Sequence, residues 1–157
     1  MLRWIDIGYM ILLGITLGVV VALGAFVAPV VFHANDYIGE NLLSHFQMGL
    51  IMTAIFVKAN YLLNCTAVAI VIRESYDYKR FIRDRLVLPS AATAVLMIFL
   101  FTLYYTKQIV AFQAKGSSII NDPLFQSLHK ASEIDFGLLG FSLLLLLGRR
   151  LYLQYKG

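Results

Sequence analysis

Four long apolar stretches alternate with short polar breaks along the whole chain, at about 5–32, 43–72, 86–110 and 125–148. A bilayer's hydrocarbon core takes about 20 apolar residues per helix. Each stretch meets that length, and several exceed it, so tilted or protruding helices are expected. The breaks are chemically suited to their place. "HANDYIGEN" is polar and carries Gly39, "RESYDYKRFIRDR" is a charge run, and "AKGSSIINDP" gathers Gly, Ser, Asn, Asp and Pro. The pattern predicts an all-α, integral membrane four-helix bundle occupying residues 1–157 as one domain. The first stretch is much longer than a signal-peptide core of about 7–15 residues, so it is read as an uncleaved first helix.

Within that first stretch Gly14, Gly18 and Ala22 recur at four-residue spacing. Small residues on one face let a second helix approach closely, so these three are read as a packing seam. Pro29 sits in the last turns of the same helix, where it removes a backbone donor and predicts a kink.

Composition agrees with the pattern: 60% of the residues are hydrophobic and 14% charged, against about a quarter charged in soluble domains. The formal charge is +4, but the basic residues sit at helix ends, where they set topology, so nucleic acid is discounted as a partner. Arg3, Arg73, Lys79, Arg80, Arg83, Arg85, Arg149, Arg150 and Lys156 fall on one side. Only Lys107, Lys115 and Lys130 fall on the other, together with Asp36 and Glu40. This asymmetry places both termini and the middle loop in the cytoplasm. The single cysteine, Cys65, lies in an apolar run and is read as a small buried hydrophobe.

The charges inside the stretches carry the functional content. Lys58 precedes Arg73, and Glu133 and Asp135 precede Arg149, by similar numbers of residues. All three therefore share one depth, about 20–24 Å from the arginines at 1.5 Å per residue. An unpaired charge there is costly. The expected arrangement is a pair between Lys58 and either Asp135 or Glu133, with Asn60, Asn64 and Thr66 supplying hydrogen bonds. Such a pair is either a fixed link between the second and fourth helices or a proton or cation site.

His33, His45 and His129 all fall toward the outer side. Three imidazoles beside Asp36, Glu40 or Glu133 make a candidate copper or zinc site, and two across a bundle make a candidate haem site. Interfacial histidines bonded to loops are the plainer alternative. No glycine-rich phosphate loop, nucleophile elbow or paired-cysteine motif is present, so no catalytic residue is assigned.

Three segments, "GAFVAPVVF" at 24–32, "IFVKANY" at 55–61 and "FQSLHKASE" at 125–133, resemble those of small four-helix bacterial membrane proteins classed as a domain of unknown function. That family is distantly similar to the copper-resistance protein D group and to four-helix, haem-linked protoporphyrinogen oxidases. The resemblance implies a bacterial inner-membrane bundle with no settled activity, and Ala28, Pro29, Phe32, His129 and Ser132 match its pattern. Unlike the haem relatives, this chain has no histidine deep in its first helix.

The leading expectation is a non-enzymatic accessory, assembly or envelope-homeostasis factor. It would be embedded in lipid, alone, as a homo-oligomer, or with a membrane protein partner. The first alternative is a metal- or haem-binding membrane protein using the outer histidines. The second is a proton-coupled transporter built as a homo-oligomer around Lys58, Glu133 and Asp135.

Overall fold

The computed structural model describes residues 2–39, 41–80 and 84–156, the side chains of Leu2 and Arg3 excepted. Arg3's side chain, Glu40 and Arg83, counted above, lie outside the described residues. Among the described residues there is no strand, and four helices are long and apolar enough to cross a membrane: Trp4–Phe32, His45–Lys79, Val87–Gln113 and Pro123–Lys156. They are called the first to fourth spans.

Local chemistry sets their ends. Ser44 caps the second span, its hydroxyl accepting from the Gln47 N–H while the Gln47 side chain accepts from the Ser44 N–H. Asp84 Oδ1 accepts from the amides of Leu86 and Val87 at the start of the third span. Pro123 opens the fourth, where its missing N–H costs nothing. The charge run after Ile72 does not break the second span, which continues to Lys79 because Arg73 and Asp77, one turn apart, pair along its inward side. At about 1.5 Å per residue, the second and fourth spans are long enough to protrude from a hydrocarbon layer of about 30 Å.

Two spans are locally widened. The first is π-helical over Leu23–Val27, where the Ala28 N–H bonds the Leu23 carbonyl. Pro29 follows at once, and its ring crowds the carbonyl four residues back. The effect expected at Pro29 therefore takes the form of a π turn just before it. The third span is π-helical over Leu100–Tyr105. There both the amide and the hydroxyl of Thr106 donate to the Phe101 carbonyl, the hydroxyl at 2.8 Å.

Each span packs antiparallel along its two neighbours, and the fourth closes back on the first and third. The buried positions step by four and three: Tyr9, Leu13, Thr16, Val20, Leu23 on the first span, and Leu63, Ala67, Ile70, Glu74, Asp77 on the second. Val87, Ala91, Ala94, Ile98, Phe101 follow the same rhythm on the third, and Ser132, Asp135, Leu139, Ser142, Leu146 on the fourth. A 3.5-residue repeat is the signature of knobs-into-holes packing.

Polar groups lock this register. Thr16 and Thr66 join the first and second spans, hydroxyl to hydroxyl at 2.7 Å. Between the second and third, Gln113 donates to Thr53, Asn60 to Thr106, and Thr102 to Asn64, at 2.9, 3.2 and 3.0 Å. Steps of seven and four residues on one span match steps of seven and four on the other, as one antiparallel register requires. Asn60, Asn64 and Thr66 thus hydrogen-bond as expected, but to neighbouring spans and not to a carboxylate.

The small-residue stripe sits beside the seam. A Cβ added at Gly18 would meet nothing within 4 Å, and one at Gly14 only Leu147, at 4.0 Å. Ala22 is half-buried. The tight approach is at Gly140 on the fourth span, where a Cβ would lie 3.3 Å from Val20. Cys65 is exposed on the outer surface, because Thr66 and Ala67 beside it take the buried positions.

Candidate functional site

The two ends of the bundle differ in chemistry. At the end carrying both termini, charges are packed between the spans. Arg73 donates to Asp6 of the first span, at 2.6 and 2.8 Å, and to Asp77. Arg150 of the fourth span reaches across the bundle to Asp77 at 2.7 Å and grips both oxygens of Glu74. Tyr9 donates to Glu74 at 2.9 Å. Glu74 and Asp77 are 8% and 4% exposed, so these charges are largely shielded from solvent screening. Arg149 of the fourth span holds Asp84, which lies outside the spans just before the third, through contacts of 2.7 to 3.2 Å. The Arg149 guanidinium keeps that carboxyl well below the usual carboxylate range, aided by the two amides it accepts from.

This ionic cluster was missed by the sequence reading, which took the arginines as topology signals. A signal was present: Glu74 and Asp77 sit one and four residues after Arg73, so acids punctuate the basic run.

At the opposite end the spans part around a cavity of about 640 Å³, within the range of about 300–1,000 Å³ typical of ligand pockets. Its floor is aromatic. Phe56, Phe101 and Phe136, one from each of three spans, have ring centroids 4.8 to 5.3 Å apart. Phe32, Phe46, Phe125, Met52 and Ile109 continue the wall, and Gly24 and Gly137 leave room beside it. His45, His129, Lys130 and Glu133 stand toward the loop end. Both π turns border this space, through Gly24 on the first span and Phe101 on the third. Such turns re-aim side chains and concentrate at functional sites.

A family model for a domain of unknown function, DUF4149, matches residues 11–118. The chain belongs to the DUF4149 family. No curated protein and no solved structure matches it.

The DUF4149 match runs from residue 11, in the first span, through the third, so the fourth, with His129, Glu133 and Asp135, lies beyond it. The bundle does not bring Lys58 to either carboxylate. Lys58 is exposed and forms no ion pair among the described residues. The reason is helical phase: with Ala59 and Leu63 turned to the core, Lys58 lies about 100° and 140° away from them around the helix. Glu133 instead meets His129 of its own helix at 3.3 Å. Asp135 is 5% exposed, and its Oδ2 has no hydrogen-bond partner.

The three histidines separate into two settings. His33 is exposed, and its Nδ1 donates back to the Pro29 carbonyl at 2.9 Å. His45 and His129 border the cavity, with Phe32 packed against both at ring separations of 5.5 and 6.4 Å. Phe125 stacks on His129. Among the described residues no three His, Cys, Asp or Glu side chains gather as a metal site requires, and a phenyl ring lies against both cavity imidazoles. This donor set fits neither a copper or zinc centre nor a haem held between histidines.

Proposed function

We propose that this DUF4149 chain is a non-enzymatic accessory protein of a bacterial inner membrane, with both termini cytoplasmic, that holds a lipophilic ligand in its aromatic cavity. The observation that carries the reading is the cavity itself: six phenylalanines from all four spans, two π turns beside it, and polar groups confined mainly to one end. An apolar pocket with a few convergent polar groups is the usual form of a small-molecule site. The orientation rests on the lysines and arginines gathered at the ionic end. A metal or haem centre has less support, because the histidines are not assembled around a common point. A transporter built on Lys58, Glu133 and Asp135 has less support for the same reason.

The test is direct. Protein purified in mild detergent is extracted, and its lipophiles are identified by mass spectrometry beside a membrane extract. About one equivalent of an enriched lipophile, lost in Gly137→Phe, is expected. A lipid profile identical to the bulk membrane would sink the reading. For orientation, Arg80→Cys in a Cys65→Ser background should resist a membrane-impermeant thiol reagent in intact cells.

A further inference from the structure

We infer that the cavity's ligand is a single-chain amphiphile with an anionic head, its tail on the Phe56, Phe101 and Phe136 floor and its head beside Lys130, His45 and His129. This rests on the reading of the cavity as a lipophile site.

The tail follows from the floor. Deep polar groups in the wall are already engaged: Thr106 with the Phe101 carbonyl and Asn60, Gln113 with Thr53, and Ser132 with the His129 carbonyl. An entering group therefore meets rings and aliphatic side chains, with little unsatisfied hydrogen-bonding capacity to match. At about 30 Å³ for a water-sized group, a cavity of about 640 Å³ holds about twenty such groups. That is the scale of one long chain with its head.

The head follows from charge. Among the described residues Lys130 forms no ion pair, and His45 makes only a ring contact with Phe32. The one carboxylate on the lining, Glu133, meets the His129 imidazole at 3.3 Å with its side chain largely exposed. The rim thus carries one ammonium, Lys130, without an ion-pair partner among the described residues, and the His45 imidazole as a hydrogen-bonding group. At the opposite end, Arg73, Arg149 and Arg150 each meet at least one carboxylate. The unpaired Lys130 ammonium above an apolar floor is complementary to a fatty carboxylate or to an anionic lysophospholipid, which share one tail and one negative head.

Native mass spectrometry of the full chain in a neutral detergent, titrated separately with oleate, oleoyl lysophosphatidylglycerol and uncharged monoolein, tests this. At least one anion should bind about tenfold tighter than monoolein. Lys130→Gln should remove about three- to tenfold of that preference, read as the ratio of anion to monoolein affinity. Oleate alone identifies free fatty acids as the source, the lysophospholipid alone identifies the membrane, and both together identify the shared chemistry. Equal binding of anions and monoolein overturns the anionic head and leaves the cavity reading standing. No binding of any probe, or binding that Gly137→Phe does not weaken, overturns the cavity reading itself.

Discussion

Replacing Arg150 by Ala tests whether the buried charges at the ionic end hold the bundle together. Arg150 is 13% exposed, and its partners Glu74 and Asp77 are 9% and 6% exposed at their side chains. Its fork grips Glu74 with two donors and Asp77 with a third, a geometry that an ammonium cannot reproduce. Removing one partner of a buried pair costs about 3–5 kcal/mol, because the remaining charge is left uncompensated. Here Asp77 keeps Arg73 and Glu74 keeps Tyr9, so the loss should lie near the low end, about 3 kcal/mol. At about 2–4 °C per kcal/mol for a chain of this size, the Tm should fall by about 6–12 °C, measured by circular dichroism in detergent. Adding Glu74→Gln to Arg150→Ala should restore part of the loss by removing the orphaned carboxylate. A fall below about 2 °C, or a double variant worse than the sum of the singles, would refute the reasoning.

Three further predictions follow from single contacts. The Asp84 carboxyl is depressed by Arg149, so its stabilisation is fully present above the unfolded value of about 3.9 and is lost as pH falls through the lower folded value. Asp84→Asn, which retains a capping oxygen, should flatten the acid limb of Tm against pH and leave the Tm change with pH above 5 the same as in wild type. Gly140→Leu should yield no monodisperse protein, because even a Cβ there would lie 3.3 Å from the β-branched Val20, with the rest of the leucine still to be placed. Gly18→Leu, facing open space, should be tolerated in the same size-exclusion assay. Lys58→Met should leave Tm unchanged or higher, and exchanging Lys58 with Asp135 or Glu133 should rescue nothing. A Lys58→Met loss as large as that of Arg150→Ala would expose a partner for Lys58.

The candidate site was legible in parts. Phe32, His45 and His129 drew attention from sequence, and they do border one cavity. Its floor was invisible, because Phe56, Phe101 and Phe136 are three phenylalanines among eleven and nothing local marks them as neighbours. The π turn that aims Phe101 has no proline to announce it, unlike the one before Pro29. The ion pairs were harder still. Depth along an axis can be counted from sequence, and on depth alone Lys58 matched Glu133 and Asp135. Pairing also requires a shared azimuth, and Lys58 faces outward.

By itself the sequence determined that the chain is all-helical, with four stretches long and apolar enough to cross a membrane, though the second and fourth helices run on past their apolar stretches to Lys79 and Lys156. The reason is the solvent: a hydrocarbon layer demands about 20 apolar residues and internally satisfied backbone, and both demands are written in composition. It did not determine which face of each span turns inward. In water an apolar stripe marks the core, but here the lipid-facing side is as apolar as the seam, as exposed Ile11, Ile15, Phe141 and Leu144 attest. The inward faces are marked instead by Tyr9, Thr16, Thr66, Glu74, Asp77 and Ser142, all buried, because polar groups in lipid need one another. Which of them meet, and the space left where the spans part, depended on rotations and registers that only the assembled bundle fixed.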